Sequence, residues 1–471
     1  MKPLTVVLSV EDSPDAVVPR LDSTLVERVL LLVPPGQGGA RQLGDVAVET
    51  IETADPGSGT TVQAILEHTS TPFLLRVDGV VDPHPTALRR LVGVLRSTGA
   101  VLAYGDYVAE NEDGSTTGIP LSDYQAGSLQ DTFPFGPLQV WSAAGLKRAL
   151  ATHGPVRDRK VHGWYDLRLK ASHEGAFVRL AEPLATVRPR DTRRTGEKIF
   201  DYLTASREAQ IEAEEVCTAH LERIGARLTG PFAPYPAEGD WPVEASVVIP
   251  VRNRIRTVRD AVTSALSQDV DISFNVIVVD NHSTDGTTGV LREMAESEPR
   301  LVHVTPERKD LGIGGCWNVA VFHDQVGRYV VQLDSDDLYA GTDTLQRMVS
   351  ALRDGQCGLV VGSYTLVDME LTEIPPGLID HKEWTDDNGA NNALRIGGLG
   401  APRAYATTLL RETPFPNASY GEDYAAVLRA CREFRVGRIY DSLYLCRRWE
   451  DNSDADLPPA TKARYQSYKD G

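Results

Sequence analysis

The chain has 471 residues, 41% of them hydrophobic and 24% charged, which is the balance of a folded protein and excludes a wholly disordered one. Its 66 acidic and 48 basic residues give a net charge of −18, so a nucleic-acid or anionic-membrane partner is not expected. One core rarely grows to this length, so we expect about two or three domains.

Cysteine usage and hydropathy predict the compartment. The five cysteines are scattered and form no CxxC pair, which argues against a disulfide framework or a zinc site and favours a reducing compartment. The N-terminus carries no signal-peptide pattern, and no stretch reaches the roughly 18 apolar residues that span a bilayer. The sequence therefore predicts a cytoplasmic protein without a transmembrane segment.

The first half of the chain alternates apolar runs with helical patterns. The predicted strands and helices between them cover residues 4–10, 29–33, 62–68 (helix), 72–77, 83–97 (helix) and 100–104. Strands that alternate with helices over short connections form βαβ units, so we expect a doubly wound, mostly parallel α/β sheet. A helical pattern over residues 198–228 follows, and residues 229–241 have the Pro- and Gly-rich composition of a linker.

The second half restarts the same series, with strands predicted over 245–249, 274–279 and 329–333. Four pairs of similar segments lie about 260 residues apart, which indicates an internal repeat. The predicted organisation is a first α/β domain at 1–195, a helical linker at 196–242, a second α/β domain at 243–455 and a C-terminal tail at 456–471.

Three carboxylates, Asp334, Asp336 and Asp337, directly follow the apolar strand 329–333. Ligands of open α/β sheets lie beyond the carboxyl ends of the strands, so we expect these side chains at the functional edge of the sheet. Crowded carboxylates repel one another unless a cation lies among them, and their oxygens suit Mg²⁺ or Mn²⁺. A solvated acidic turn is the alternative for this segment taken alone.

Three further segments stand at the ends or starts of predicted elements. Asp280 ends the strand 274–279, where its oxygens can accept hydrogen bonds from a ligand. Gly312 and Gly314 let the backbone approach a ligand closely, although a GxGxxG dinucleotide site is disfavoured because its third glycine is missing. Glu422 and Asp423 open a predicted helix, where stabilisation of the helix N-terminus is the alternative to a chemical role.

Together these segments resemble, in order and spacing, glycosyltransferase family 2, which has the GT-A fold. The resemblance covers about residues 244–455 and rests on the segments SVVIPVRN (246–253), VVDNHSTDGT (278–287), LGIGGCWN (311–318), LDSDD (333–337) and Glu422–Asp423. It implies two GT-A-like domains in tandem, of which only the second keeps the family pattern.

The resemblance implies a role for each segment. Asp334 and Asp336 match the DXD motif, which implies that they hold Mn²⁺ or Mg²⁺ against the diphosphate of a nucleotide sugar. Asp423, beside Glu422, matches the general base that takes the acceptor proton while the acceptor oxygen attacks C1 opposite the leaving nucleotide. The residues expected to bind the nucleotide sugar are Pro250, Asn253, Asp280, Gly312, Gly314, Asp334, Arg447 and Arg448.

The sequence departs from the family near its C-terminal end. Members often carry Arg-x-His there, whereas this chain has Arg447-Arg448-Trp449, so metal ligation by this segment is not expected. The two guanidinium groups match phosphate geometry, and Trp449 either stacks on a sugar or base or packs in the core. His381, Trp384 and Trp449 are the candidates for acceptor binding, because aromatic rings beside carboxylates suit a polyhydroxylated molecule.

The first copy has lost most of these groups. Val33-Pro34 stands where Asp280 would be, Asp78-Gly79-Val80 replaces the DXD carboxylates, and Gly163-Trp164 replaces Glu422-Asp423. A sheet that keeps its core but loses its carboxylates is expected to be noncatalytic, and to dock on the second domain or help present the acceptor.

The predicted function is an inverting, metal-dependent transfer of a sugar from a nucleotide diphosphate sugar, expected to be UDP-linked, to a hydroxyl-bearing acceptor. A nucleotidyltransferase that makes sugar nucleotides is one alternative, but its Gly-rich phosphate loop would have to stand at residues 250–253. A noncatalytic carbohydrate-binding or scaffold protein is the other, and the intact Asp280, Asp334, Asp336 and Asp423 count against it.

Overall fold

The computed structural model describes residues 2–39, 41–43, 46–111, 113–188, 207–385, 388–396, 398–449, 452 and 457–470. The chain divides into two compact units: unit 1 comprises residues 1–226 and 457–471, and unit 2 comprises residues 227–456. The linker expected at 196–242 is shared between the units, and its residues 196–206 lie outside the described part of the chain. The C-terminal tail groups with unit 1.

Unit 1 is built on a mixed sheet with a smaller sheet beside it. Its strands are β1 (Leu4–Ser9), β2 (Val26–Val33), β3 (Arg41–Leu43), β4 (Val46–Glu52), β5 (Phe73–Val77), β6 (Val81–Pro83), β7 (Leu102–Gly105), β8 (Tyr107–Glu110), β9 (Thr116–Ile119), β10 (Leu138–Ser142), β11 (Phe177–Leu180) and β12 (Ala185–Val187). The main sheet has the order β11-β7-β10-β5-β1-β2-β4-β3, and the smaller one has the order β6-β12-β8-β9.

Unit 2 contains one mixed sheet. Its strands are β13 (Ala245–Val251), β14 (Phe274–Asp280), β15 (Leu301–Val304), β16 (Tyr329–Gln332), β17 (Leu338–Tyr339), β18 (Leu359–Val367), β19 (Glu373–Ile379), β20 (Arg403–Ala406) and β21 (Val436–Arg447). They follow the order β15-β14-β13-β16-β20-β18-β21-β17, and β19 pairs with β18.

Helices connect the strands in both units. They are α1 (Pro14–Val17), α2 (Gly59–His68), α3 (Ala87–Thr98), α4 (Ala143–His153), α5 (Gly163–Ala171), α6 (Arg207–Arg223), α7 (Val258–Leu266), α8 (Thr287–Ser297), α9 (Ile313–Val321), α10 (Thr344–Gly355), α11 (Gly389–Ile396), α12 (Thr407–Glu412), α13 (Glu422–Glu433) and α14 (Pro459–Asp470). The predicted long helix over 198–228 is described only from α6, which ends at Arg223. The predicted turn at 311–315 includes the start of α9.

The two main sheets share one topology. The order β4-β2-β1-β5-β10-β7-β11 in unit 1 corresponds to β15-β14-β13-β16-β20-β18-β21 in unit 2. Strand β10 in unit 1 and strand β20 in unit 2 run antiparallel to both of their neighbours. The other neighbouring pairs in these two orders run parallel. The predicted α/β class is confirmed, and the sheets are mixed, with parallel strands on the side of β1 and β13.

Packing explains the apolar runs. Every residue of β14 is buried, because helices cover both faces of a parallel sheet and leave neither face to water. In α3, residues Leu88, Leu91, Val92 and Leu95 recur at helical spacing and are buried against the sheet. No described helix combines the length and the apolarity that crossing a membrane requires.

Candidate active site

In the acidic turn after β16, the carboxylates of Asp334 and Asp337 are held by hydrogen bonds. Both oxygens of Asp334 accept from Nε2 of Gln332, at 3.0 and 3.3 Å. Asp337 is buried, and its Oδ1 accepts from the backbone N–H of Arg447 at 2.7 Å. Burial and the charge of Asp336 raise the pKa of Asp334, and raise that of Asp337 strongly. A cation among these carboxylates would relieve their repulsion.

Asp336 faces a different set of donors. Its Oδ2 lies 3.3 Å from Nε1 of Trp449, 3.4 Å from Nδ2 of Asn452 and 3.5 Å from Nε of Arg254. The guanidinium groups of Arg254 and Arg256 lie 5.8 and 5.0 Å from the centroid of the Trp449 ring. Trp449 is therefore placed at the acidic turn, with its N–H directed at the carboxylate of Asp336.

Arg447 and Arg448 lie at the same turn. Arg447 is buried, its Nη1 donates to Oδ2 of Asp260 at 3.1 Å, and its Nε donates to the backbone carbonyl of Asp336. These bonds support the turn, so the phosphate contact expected for Arg447 would require the guanidinium to leave its present partners. The backbone N–H of Arg448 donates to the carbonyl of Val367 at 2.8 Å.

Asp280 is fully buried at the end of β14. Its Oδ1 accepts from the backbone N–H of Ser283 at 3.0 Å, its Oδ2 accepts from the Thr288 hydroxyl, and Nε2 of His303 lies 3.6 Å from Oδ2. Burial alone would raise the pKa of Asp280, but the hydrogen bonds from His303, Ser283 and Thr288 outweigh it and lower the pKa. A nucleoside contact would require this buried carboxylate to be uncovered and to share an oxygen that already accepts one of these bonds.

The loop after β13 connects the Asp280 region with the acidic turn. Pro250 is half-buried in β13 and pairs with Val279 of β14. Oδ1 of Asn253 accepts from the backbone N–H of Thr284 at 2.8 Å. The next residue, Arg254, reaches Asp336 as described above, so the segments after β13, β14 and β16 meet at one edge of the sheet.

The glycines at the start of α9 serve the packing of the chain. The backbone N–H of Gly312 donates to Oδ1 of Asn417 at 2.7 Å. A Cβ atom on Gly312 would lie 2.6 Å from the carbonyl carbon of Ala418, and one on Gly314 would lie 2.1 Å from the carbonyl oxygen of Pro416. The close approach expected at these glycines is present, but its partner in the structure is the segment 416–418 rather than a ligand.

Glu422 and Asp423 open α13 in different environments. Oδ2 of Asp423 lies 2.6 Å from Nη1 of Arg403, and the Asp423 side chain is 27% exposed. Glu422 is only 7% exposed, and its Oε2 has no hydrogen-bond partner among the described residues. Burial and the neighbouring charge of Asp423 raise the pKa of Glu422 to about 8. Near pH 7, Glu422 is thus mainly a neutral acid beside the accessible Asp423.

Arg403 connects this pair with the acidic turn, and the sequence reasoning missed it. Its backbone N–H donates to Oε1 of Gln332 at 3.3 Å, the same side chain that holds Asp334. Burial lowers the pKa of Arg403, but the charges of Asp423 and Asp334 outweigh it and raise the pKa. The available signal was a cation in the otherwise apolar strand RAYA, since a buried charge needs a partner.

Two of the residues expected at the acceptor site are buried. Trp384 belongs to the core of unit 2, and the guanidinium of Arg438 lies 4.3 Å from its ring centroid. His381 is buried, and its Nδ1 lies 3.2 Å from Oε1 of Glu383. Neither side chain offers an open surface to an acceptor, so these positions give the predicted acceptor site no support.

Asp334 and Asp336 are the carboxylates of this turn that were expected to hold a cation. Within the described ranges, no group of three or more His, Cys, Asp or Glu side chains is arranged as a metal site. Mg²⁺, however, is commonly held by only one or two carboxylates together with substrate phosphates and water. Asp334 and Asp336 fit that kind of site, and they do not form a complete metal cage by themselves.

Part of the chain is similar in sequence to known proteins. Residues 246–415 match the model of the family described as "Glycosyl transferase family 2". The chain is 29% identical over 160 residues to "Putative teichuronic acid biosynthesis glycosyltransferase TuaG" of Bacillus subtilis (strain 168), which is 34% of this chain and 62% of that protein. It is 37% identical over 92 residues to chondroitin synthase of Escherichia coli, which is 20% of this chain and 13% of that protein.

The chain thus spans less than two thirds of the length of either relative. Among solved structures, S. aureus TarS 1–349 in complex with UDP-GlcNAc is 22% identical, with 45% of this chain and 62% of that chain covered and a TM-score of 0.37. The family match lies entirely within unit 2 and includes the segments that carry Asn253, Asp280 and the DXD motif. Unit 2 of this chain therefore contains a domain that belongs to glycosyltransferase family 2.

Proposed function

We propose that unit 2 transfers a sugar from a nucleotide diphosphate sugar, UDP-linked, to a hydroxyl-bearing acceptor with inversion at C1. The observation that carries this proposal is the meeting of Asp334 and the Arg403–Asp423 pair at the edge of the sheet, through Gln332. In an open α/β sheet this edge is where ligands bind.

The donor would lie along the segments after β13, β14 and β16. Asp280 stays ionised at the end of β14, and the resemblance to the family supports a contact of its carboxylate with the uracil imide N–H, which favours UDP among nucleotides. The diphosphate would lie against Asp334 and Asp336 with Mn²⁺ or Mg²⁺, and that cation would neutralise the phosphates and stabilise the leaving group. Arg254, now 3.5 Å from Asp336, is a further cation within reach of this place.

The acceptor end would use Asp423 as the general base. Asp423 and Glu422 are adjacent, but Glu422 is buried and Asp423 is accessible. Neighbouring carboxyl groups in such different environments typically take different roles in catalysis. Glu422, buried and mainly protonated, is a poor base. Asp423 is accessible and oriented by Arg403, so it can take the acceptor proton while the acceptor oxygen forms the bond to C1.

Unit 1 is proposed to be noncatalytic. Trp164 occupies the second position of α5, as Asp423 does in α13, and an indole ring cannot accept the acceptor proton. Pro34 stands directly after β2, where unit 2 places Asp280 at the end of β14. The first sheet therefore keeps the architecture without the groups that the proposed reaction needs.

A thermal-shift experiment on the full chain tests the donor and the cation together. We expect UDP with Mn²⁺ to raise the melting temperature, because a ligand at about 100 times its dissociation constant adds about 2.7 kcal/mol of stability. Asp336→Asn should remove most of the Mn²⁺-dependent part of the shift, whereas Asp324→Asn, an exposed aspartate of unit 2, is the matched control. Absence of a shift with both UDP and GDP, with and without Mn²⁺, would contradict the proposal.

A further inference from the structure

Unit 1 contains a cleft at the edge of the sheet that corresponds to the active-site edge of unit 2. Its volume is about 580 Å³, and its lining includes Arg76, Asp78, Tyr107, Trp141, Trp164 and Arg168. Sites for small molecules typically measure about 300–1,000 Å³. The cleft therefore has the size to hold a ligand of two or three rings.

The pairing of the strands shows what each lining residue replaces. Trp141 of β10 pairs with Leu74 of β5, as Tyr405 of β20 pairs with Val330 of β16. Two residues further along β5 stands Arg76, at the place of Gln332 in β16. Trp164, at the second position of α5, takes the place of the proposed base. The cleft is thus the counterpart of the reaction site, with an aromatic ring where the carboxylate was.

The aromatic lining gives the cleft an apolar surface with polar edges. The ring centroids of Trp141 and Trp164 lie 6.4 Å apart, and the guanidinium of Arg76 lies 4.7 Å from the Trp164 centroid on its face. Trp164 is half-buried, so part of its ring is accessible. A ring of this kind offers a large rigid contact area for the apolar C–H face of a sugar.

Buried hydrogen-bond donors lie in the same lining. Arg168 is 4% exposed and Trp141 is 2% exposed. Nε and Nη2 of Arg168 and Nε1 of Trp141 have no hydrogen-bond partner among the described residues. Buried polar groups are nearly always hydrogen-bonded in folded proteins. Since all three groups are donors, a fitting ligand must supply acceptor oxygens.

We propose that unit 1 binds a pyranose-containing oligosaccharide in this cleft, with one ring against Trp164 and sugar oxygens accepting from Arg168 and Trp141. This proposal is independent of the reaction proposed for unit 2. A nucleotide is a poorer fit, because Asp78 and Asp131 balance the charges of Arg76 and Arg168 in the lining and leave the cleft without a net positive charge for a diphosphate, and because Pro34 replaces the strand-end aspartate.

Saturation-transfer NMR on the full chain tests the proposal with three probes: maltotriose, triacetylchitotriose and trigalacturonic acid. The neutral, N-acetylated and acidic sugars share the pyranose ring and differ in the oxygens that they present. We expect at least one of them to bind with a dissociation constant of about 1 mM or tighter. Trp164→Ala should weaken that binding by about tenfold, which corresponds to about 1.4 kcal/mol, and Trp164→Phe should retain most of it.

Phe322→Ala is the matched control, because Phe322 is an exposed aromatic residue of unit 2 that directly follows the C-terminal end of α9. Circular dichroism and melting curves establish that each variant is folded. Three outcomes would overturn the proposal: no binding of any probe, binding that Trp164→Ala leaves unchanged, or displacement of the bound sugar by UDP. If Trp164→Ala does not fold, Trp164→Leu is read instead, because leucine fills part of the space without an aromatic ring, and unchanged sugar binding in that variant would also overturn the proposal.

Discussion

Glu422→Gln is expected to make unit 2 more stable at alkaline pH than the wild type. Burial and the charge of Asp423 raise the pKa of Glu422 from 4.5 to about 8. Between these values the folded protein holds a proton that the unfolded chain has lost, so wild-type stability falls as the pH rises through this range and levels off above it. Glutamine reproduces the shape of the protonated acid and cannot ionise.

The pKa span sets the size of the effect. At about 1.4 kcal/mol per pKa unit, the difference between 4.5 and about 8 gives an upper limit of about 5 kcal/mol. For a unit of roughly 200 residues, each kcal/mol changes the melting temperature by about 2–4 °C. We therefore expect the variant to gain several degrees relative to the wild type between pH 5 and pH 8, with about 10 °C or more only if the full span is realised.

Differential scanning calorimetry of the full chain at half-unit steps of pH measures this difference. Only the transition that Glu422→Gln displaces is compared, since a chain of two units need not unfold in one step. Glu296→Gln is the matched control, because Glu296 is an exposed glutamate on α8 of the same unit. Parallel curves for wild type and Glu422→Gln from pH 5 to pH 8 would refute the reasoning, as would an equal gain in the control.

The other predictions concern turnover, metal use and packing. Asp423→Asn should lower kcat by about 10²- to 10⁴-fold in steady-state assays and leave donor binding nearly unchanged. Full turnover in this variant would exclude Asp423 as the general base. Trp449→His places an imidazole at the DXD turn and should lower the Mn²⁺ concentration needed for the UDP-dependent thermal shift, and an unchanged Mn²⁺ titration would contradict this. Gly314→Ala should destabilise the protein by about 1–3 kcal/mol because its Cβ would meet Pro416, whereas Gly289→Ala in α8 meets open space and should not, as urea unfolding would show.

The fold was largely predictable because its signals are local. Apolar runs and helical periodicity located β1, β5, β14 and α2 to within a few residues, since a strand buried on both faces leaves no room for polar residues. The direction of β10 and β20 was not predictable in this way. Whether a strand runs parallel or antiparallel depends on where the chain re-enters the sheet, and the residues of the strand itself carry no such information.

The sequence allowed the carboxylates of the candidate site to be predicted, but it did not reveal the arginines that approach them. Asp280, Asp334 and Asp423 stand at element ends, where a sequence pattern can identify them. Arg403 and Arg254 reach the same edge from elements distant in sequence, and only the fold shows which carboxylates they approach. The glycines illustrate the opposite error: their need for close approach was real, but the sequence could not say whether a ligand or the segment 416–418 fills the space.

The replacements in unit 1 follow from the electrostatics of unit 2. A buried guanidinium without its carboxylate is strongly destabilising, so Asp423 could not be lost while Arg403 stayed in place. At the position of Arg403, unit 1 has the neutral Gln139, and at the position of the neutral Gln332 it has Arg76, which stacks on Trp164. The cation thus stands on the neighbouring strand, where it stacks on the Trp164 ring and lies 3.8 Å from an oxygen of Asp78. Neither member of the Arg403–Asp423 pair is thus kept at the corresponding position of unit 1, so neither charge is left there without the other.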